Sequence, residues 1–324
     1  MHVTLTTDSS SFAQRMLGSG PGLPPVLLNH PAQSVTTIDG GKSALFGLPF
    51  FIAGLAMSAG GLNYIHARKH GPDWVILIFG ATFFLAGSFL IVHGIRGMIR
   101  KSVYLREAAQ FPGQPWLFDF HWDKQGVSFS AFNAMLGRLL SAILWNTFLV
   151  PFFWIGITQR GAWVFAIFAG LFALIGLIFW IRWAQMLADL LRYGNSFLAY
   201  DEFPYFLGCT LRARLRAPNH LPAIDTLTLT LRCVQERYVT TGSSNNRSTQ
   251  VVCYELYKDV ATLDRDSLGS LQGADIPIEF ALPAGKQSTL LAEPPPTYWE
   301  IEARGSAKGA DYQAYFLVPV YKRP

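Results

Sequence analysis

The residues best suited to chemistry lie between positions 115 and 125. Asp119, His121 and Asp123 alternate with aromatic residues, so an extended strand would place all three on one face. Carboxylate and imidazole groups are ligands for zinc and other divalent metals. No fourth ligand follows nearby, and the plainer interpretation is a solvated polar face. We therefore predict neither a bound metal nor a cofactor, and keep these three residues as weak polar candidates.

Catalytic motifs are not found in the sequence. Neither Gly-x-Ser-x-Gly nor His-Glu-x-x-His occurs. The three cysteines, Cys209, Cys233 and Cys253, have no Cys-x-x-Cys spacing, which argues against a disulfide network and a structural zinc site. We predict that the protein is not an enzyme. A carboxylate pair in residues 115–125 would be the candidate for chemistry on lipid.

The elements that must position these residues divide into an apolar half and a polar half. Hydrophobic residues make up 51% of the 324, and charged residues only 15%, against roughly 25% in soluble domains. Uncharged runs occupy residues 44–65, 74–95, 139–157 and 162–181. Each has about the 20 residues that a helix needs to cross the hydrocarbon core of a bilayer. We predict four transmembrane helices, with the lipid bilayer as one partner.

Basic residues flank these runs, so we assign the net charge of +5 to membrane topology and anionic lipid rather than to nucleic acid. One side of the predicted spans has ten of them: Arg15, Lys42, Arg96, Arg100, Lys101, Arg106, Lys124, Arg138, Arg182 and Arg192. The other side has three: Arg68, Lys69 and Arg160. The positive-inside rule therefore predicts that both termini are cytoplasmic.

Two polar residues inside the predicted spans are functional candidates, because polar groups are costly to place in lipid. His93 lies near the cytoplasmic end of the second span and beside Arg96, so contact with the headgroups is the plainer explanation. Asn146, in the third span, is expected to bond a neighbouring helix rather than a substrate. The spans contain no chain of acidic residues, which disfavours a proton relay.

From about residue 195 the pattern changes to short segments in which apolar and polar residues alternate. These segments are 197–201, 207–215, 226–234, 249–257, 275–282, 297–304 and 311–318. A period of two indicates strands, and this spacing favours an antiparallel β-sandwich. Leu229 and Phe280 are expected to point into its core. The predicted fold class is an α-helical membrane domain of four transmembrane helices plus an all-β C-terminal sandwich.

Residues 115–132, between the second and third spans, are predicted to form a cytoplasmic hairpin with a turn at 123–126. Its aromatic residues lie at every second position and would share one face: Trp116, Phe118, Phe120 and Trp122. A stripe of four aromatic residues is too apolar to face water. We expect it to pack against the β-sandwich or to lie at the membrane surface, and we treat the four residues as an interaction site.

The predicted organisation has three parts. An N-terminal arm covers residues 1–43, a four-span membrane domain with its hairpin loop covers 44–194, and a cytoplasmic β-sandwich covers 195–324. The arm is predicted to be disordered because closely spaced Gly and Pro residues between positions 18 and 25 interrupt any helix.

Two resemblances support this organisation. The segments IPIEFALPAG and PPPTYWEIEARG, within residues 276–305, are similar to the C-terminal half of arrestin-fold domains, where a Pro-containing linker joins a strand ending in Leu-Pro to an aromatic-led strand. Much of the chain also resembles an uncharacterised family of bacterial inner-membrane proteins. That resemblance rests on Pro115-Trp116-Leu117, Leu144-Trp145-Asn146, Arg192-Tyr193-Gly194 and the closing FLVPV. It implies the bacterial inner membrane as the location, and the two-part architecture.

Three functions are open at this point, and the oligomeric state is not indicated. The preferred function is a membrane-anchored interaction protein whose sandwich binds an unknown protein partner. The second is a transport or channel component with a regulatory β-domain, which the lack of charge in the spans disfavours. The third is an enzyme acting on membrane lipid, which the lack of a nucleophile–base pair disfavours.

Overall fold

The computed structural model describes residues 24–27, 30, 40–62, 73–129, 131–216, 224–241, 248–270, 275–293, 295–307 and 311–324. The chain forms two units. A helical unit comprises Thr36–Val103 and Ser130–Gly194, and a β unit comprises Met1–Val35, Tyr104–Phe129 and Asn195–Pro324. The predicted organisation placed the segment after Val103 with the membrane domain, whereas here it belongs to the β unit.

Four long helices follow the apolar runs: α1 (Gly40–Gly61), α2 (Asp73–Gln110), α3 (Ala131–Thr158) and α4 (Trp163–Tyr193). All four are long and apolar enough to cross a membrane, which confirms a multi-pass membrane protein. α2 continues well beyond its apolar run, because no proline occurs before Pro112. α4 ends where Gly194 adopts a φ of +70° and donates its N–H to the Leu190 carbonyl at 2.8 Å.

Helices α1 and α2 approach each other backbone to backbone through glycines. A Cβ added to Gly54 would lie 2.2 Å from the Phe84 nitrogen, and one added to Gly87 would lie 2.3 Å from the Phe51 nitrogen. Only a residue without a side chain allows this approach. The glycines recur every seven residues along both helices: Gly40, Gly47, Gly54 and Gly61 on α1, and Gly80, Gly87 and Gly94 on α2.

The β unit contains short and long strands in chain order: β1 (Val26–Leu27), β2 (Gly126–Phe129), β3 (Ser196–Tyr200), β4 (Tyr205–Phe206), β5 (Thr210–Arg216), β6 (Ile224–Thr241), β7 (Ser248–Asp264), β8 (Ile276–Ala281), β9 (Thr297–Ala307), β10 (Tyr312–Val318) and β11 (Val320–Tyr321). A short helix, α5 (Arg265–Ser270), follows β7. One sheet has the order β1-β7-β6-β9-β10 and the other β2-β3-β5-β8, and β11 pairs in parallel with β4. The predicted all-β region is therefore confirmed.

The two large sheets pack against each other through alternate residues. The ring of Phe129 on β2 meets that of Phe316 on β10, with centroids 6.4 Å apart. The hydroxyl of Tyr312 donates a hydrogen bond to the Ser196 hydroxyl at 2.8 Å. Leu229 and Phe280, which the alternation predicts to be inward, are both buried. The period of two thus identified the core side of the strands.

The predicted hairpin at 115–132 is not formed. Pro115–Leu117 make a 3-10 turn, and the N–H groups of Phe118 and Asp119 donate to the Pro115 carbonyl at 3.2 and 2.9 Å. The expected turn at 123–126 is present, but β2 then pairs with β3 instead of with residues 116–122. Pro115 has no N–H to donate to a neighbouring strand, so a strand is disfavoured at this position. β2 therefore pairs with β3, which is distant in the sequence.

The predicted disorder of the N-terminal arm is wrong for part of it. Val26 and Leu27 pair antiparallel with Tyr254 and Cys253 of β7. Residues 40–43 belong to α1. Closely spaced Gly and Pro residues disfavour a helix, but they do not exclude a short extended pairing. Most of the arm lies outside the described residues.

Candidate functional site

Residues 115–123 pack against the strands and loops of the β unit, and Asp119 is buried at the centre of this packing. Its exposed fraction is 2%. One carboxylate oxygen, Oδ1, accepts hydrogen bonds from the backbone N–H groups of Leu291 and Ala292, both at 2.8 Å. The other, Oδ2, accepts one from the Tyr321 hydroxyl at 3.1 Å. The sequence assigned Asp119 to a solvated face, which is wrong, because three donors compensate the burial of its charge.

Tyr321 connects Asp119 to the aromatic residues of the segment. Its hydroxyl accepts a hydrogen bond from Trp122 Nε1 at 2.9 Å and donates to Asp119. Burial, followed by the charge of Asp119, raises the pKa of Tyr321 well above its ordinary value. Tyr321 therefore remains a neutral phenol that can keep donating to the carboxylate.

The four predicted aromatic residues contact the β unit at different places instead of sharing one face. The Trp116 ring lies edge-on to those of Phe206 and Tyr321, with centroids 5.7 and 5.9 Å apart. The Phe118 ring lies 5.5 Å from that of Tyr104. Because these contacts are spread over several strands, they position the whole segment.

Phe120 and Trp122 complete the contact on the five-stranded sheet. Their rings lie 4.7 Å apart. Both pack against a buried apolar cluster formed by Val234, Cys253, Leu291 and Tyr298. The alternatives left open by the sequence were packing on the sandwich or on lipid, and the structure places these two residues on the sandwich.

The other two polar candidates do not join Asp119. His121 and Asp123 are exposed, and Asp123 Oδ1 accepts the backbone N–H of Gln125 at 2.9 Å. Within the described part of the chain, no three His, Cys, Asp or Glu side chains come together in a way that could hold a metal ion. The role of Asp119 is therefore to position a chain segment through its hydrogen bonds.

The two polar candidates of the helical unit have local contacts. His93 is exposed, and its ring stacks on that of Phe89 with centroids 6.0 Å apart. Asn146 Nδ2 donates to the Ala142 carbonyl of its own helix at 2.8 Å. Its side chain lies against α4, where a Cβ added to Gly176 would be 2.9 Å from Oδ1.

The hydrogen bond between α3 and α4 is made by the residue before Asn146. Trp145 Nε1 donates to the Phe172 carbonyl at 3.0 Å. The expectation that Asn146 bonds a neighbouring helix is therefore not met, because its hydrogen bond stays within its own helix and Trp145 makes the bond to α4.

A second cluster, which the sequence analysis did not identify, lies on the face of the five-stranded sheet that points away from the four-stranded sheet, next to the apolar cluster that Phe120 and Trp122 contact. Phe316 faces the four-stranded sheet, and Ile301 lies opposite it in register, so Glu300 and Glu302 face away. Both glutamates are nevertheless buried. We define the acidic cluster as Glu236, Glu255, Glu300 and Glu302 together with Arg232, Arg304 and His30.

Two arginines neutralise one end of the acidic cluster. Arg232 Nη1 lies 2.6 Å from Glu302 Oε2, and its Nε lies 3.0 Å from Glu255 Oε2. Arg304 Nη2 lies 2.8 Å from Glu302 Oε1. Burial alone would raise the pKa of Glu302, but a hydrogen bond from Gln313 and the charges of both arginines outweigh it and lower the pKa.

Among the described residues, no guanidinium pairs with Glu300. Its exposed fraction is 0%, and Nε2 of the His30 imidazole, on a side chain that is 4% exposed, lies 3.1 Å from Oε1. This contact is not a directed hydrogen bond, and within the described residues neither oxygen of Glu300 has a hydrogen-bond partner. Burial and the carboxylates of Glu236 and Glu300 raise the pKa of Cys253 to about 12. The Glu300 end of the cluster is therefore electronegative.

The acidic cluster carried a weak signal in the sequence. In β9, Glu300 and Glu302 alternate with Trp299 and Ile301. Alternation alone predicts that the glutamates face water. They are buried because residues distant in the sequence, including His30, cover them. No local sequence pattern predicts which residues do so.

Comparison with known proteins adds little to this geometry. No family model matches the chain, and no curated protein sequence matches it. Among solved structures, the chain is similar to Spo0M, a sporulation control protein from Bacillus subtilis, with 10% sequence identity and a TM-score of 0.25. The match covers 39% of this chain and 48% of that chain, so it spans about half the length of Spo0M.

Proposed function

We propose that this protein is a multi-pass anchor of the bacterial inner membrane that presents its β unit to a protein partner on the cytoplasmic side, and that it acts by binding without catalysis. The observation that carries the proposal is the buried contact of Asp119 with Leu291, Ala292 and Tyr321. It makes the chain between α2 and α3 an integral part of the β unit. A domain that only needed tethering would require no such contact.

The chain connections support a restrained presentation of the β unit. The chain passes into it after Val103, leaves it after Phe129 and returns after Gly194. Several covalent connections restrict a domain more than one linker does, and a restrained domain loses less freedom when a partner binds. An anchor that holds a binding domain in place fits this connectivity.

Orientation and source rest on the sequence. The ten-to-three division of Lys and Arg favours cytoplasmic termini, and the resemblance to bacterial inner-membrane proteins names the membrane. A reporter fused after Pro324 tests the orientation. We expect activity from a reporter that works only in the cytoplasm, and strong activity from a periplasmic reporter at the same site would contradict it.

Photo-crosslinking in intact membranes tests the binding function. A benzoylphenylalanine residue would replace Tyr238 or Val260, which are exposed on the β unit, or Leu171, which is exposed on α4. We expect discrete protein adducts from the first two positions and lipid adducts from the third. If neither β-unit position yields a protein adduct, the proposal is wrong, and the transport alternative is the one to pursue.

A further inference from the structure

We propose that the acidic cluster and the neighbouring edge of the five-stranded sheet form a binding site for an extended peptide that carries a cationic side chain, and that residues 24–27 and His30 of the N-terminal arm occupy this site in cis. The proposal deepens the proposed function and rests on it for the existence of a protein partner. Three properties of the site support it: a sheet edge, an apolar seat and an incompletely neutralised buried carboxylate.

The sheet edge belongs to β7. This strand has 17 residues, and β6 pairs along one side of it. On the other side, the pairs that β1 makes among the described residues are those with Tyr254 and Cys253, and the Glu255 N–H donates to the Pro25 carbonyl at 2.8 Å. Backbone pairing at a sheet edge accepts any extended segment, so side-chain sites must supply the selectivity.

The apolar seat holds the two residues of β1. Leu27 packs against the buried cluster of Val234, Cys253, Leu291 and Tyr298. Val26 packs with Val252 and Tyr254. Adjacent residues of an extended segment point to opposite sides, so the seat selects two consecutive apolar residues.

The carboxylate that selects a cation is Glu300. The guanidinium groups of Arg232 and Arg304 pair with Glu302 and Glu255, and among the described residues none pairs with Glu300. At Glu300 the closing group is His30, which reaches it three residues after Leu27. A buried carboxylate without a hydrogen-bonding partner favours a cation that can also donate hydrogen bonds, as an arginine does.

The arm is suited to be displaced. Its strand has two residues, and short strand pairings are marginal on their own. A longer segment from a partner would pair with more of β7 and would bring a permanent charge to Glu300 where the arm brings an imidazole. The segment expected of a partner therefore has two adjacent apolar residues and an arginine or lysine three positions later.

A disulfide lock on the arm tests occupancy in the full chain in detergent. Leu27 and Cys253 are direct cross-strand partners, so Leu27→Cys should form a disulfide with Cys253 under mild oxidation. Loss of alkylation at both thiols in denaturant, without reductant, would report the bond. The control is Leu27→Cys combined with Cys253→Ser, which oxidation should leave unchanged. Failure of the bond to form in the folded protein would overturn the cis occupancy.

A labelled peptide tests the site itself. The probe has the sequence of residues 22–32 with arginine in place of the histidine at position 30. We expect saturable binding, measured by fluorescence anisotropy, to the reduced Leu27→Cys protein, no binding to the oxidised protein, and recovery on reduction. His30→Gln should tighten binding because it weakens the competing arm.

Charge recognition is tested by a double-mutant cycle between protein and probe. Glu300→Gln should weaken the arginine probe about tenfold or more, and a probe with glutamine at that position should bind equally weakly to both proteins. Glu279→Gln, an exposed carboxylate on the four-stranded sheet, is the matched control. Changing the probe keeps the test valid even if Glu300→Gln disturbs folding.

Equal binding of the arginine probe to the locked and unlocked proteins, or no binding to the His30→Gln protein, would overturn the site. If the probe gives either of these results while the β-unit positions still crosslink to a protein, the proposed function stands and its partner binds elsewhere. If the probe binds as expected while crosslinks are absent, the site stands and the proposed function fails.

Discussion

Tyr321 donates a hydrogen bond of 3.1 Å to Asp119, a residue 202 positions earlier in the chain. The bond joins the C-terminal end of the β unit to the segment between α2 and α3. Contacts between residues this far apart are entropically costly to form, so they depend on the rest of the β unit being folded. Asp119 is accordingly the residue whose loss should affect the whole segment.

Replacing Asp119 with Ala should destabilise the β unit. It removes the acceptor of a buried backbone N–H, that of Leu291, which costs about 1–3 kcal/mol when left unsatisfied, and of the partly buried N–H of Ala292. The free energy of unfolding should fall, measured by tryptophan fluorescence of the full chain in detergent. Asp266→Ala, at an exposed position of α5, is the control and should melt with the parent. Identical unfolding of the two variants would contradict the role of Asp119.

Replacing Gly87 with Ala should disrupt the pairing of α1 and α2. The new Cβ would lie 2.3 Å from the Phe51 nitrogen, so the helices must separate, at about 1–3 kcal/mol for an overpacked contact. Gly170→Ala is the matched control, because no atom lies within 4 Å of its added Cβ. Thermal aggregation in detergent should begin at a lower temperature for Gly87→Ala only. An equal shift for both variants would mean that helix propensity, and not packing, is responsible.

The three cysteines should differ in reactivity toward maleimide near neutral pH. Burial raises the pKa of Cys233 to about 12, and burial with the charges of Glu236 and Glu300 raises that of Cys253 to about 12, so both remain neutral thiols. Cys209 is only half-buried. Peptide mapping by mass spectrometry should show Cys209 labelled at least about tenfold faster, with the difference removed by denaturant. Rapid labelling of Cys253 in the folded protein would contradict its burial.

Acid should destabilise the β unit partly through Glu302. Its folded pKa is lowered, so the ionised carboxylate stabilises the fold. This contribution is complete above the ordinary carboxyl pKa and is lost as the pH falls through that value toward the folded pKa. Glu302→Gln should therefore melt at a lower temperature than the parent at pH 7, and the gap should narrow toward pH 3. A gap that does not change with pH would show that Glu302 acts through packing alone.

Much of the secondary structure could be predicted, because it depends on local patterns. The apolar runs predicted the helices by length, and alternation predicted strands such as β5 and β9 and the inward position of Leu229. The spacing of glycines such as Gly54 and Gly87 was also present in the sequence, and a search for heptad repeats would have found it. Which face of a strand or helix a residue occupies follows from the period alone.

The pairing of segments could not be predicted in the same way. Alternation in 115–132 was compatible with a hairpin, but β2 pairs with β3, about 70 residues further along the chain. The period of a strand says nothing about which other strand lies beside it. The pairing of β2 with β3 depends on the tertiary structure, because Pro115 and its neighbours form a turn and not a strand that could pair with β2 locally.

By itself, the sequence determined that the chain has four membrane-competent helices and an all-β region, since hydrophobic length and period are properties of each segment. Only the tertiary structure decided that Asp119 and Glu300, two acidic residues at outward positions of alternating segments, are buried. Burial of a carboxylate depends on what covers it and what donates to it. For Asp119 the donors are Leu291, Ala292 and Tyr321, and for Glu300 the covering residue is His30, all of which are remote in the sequence.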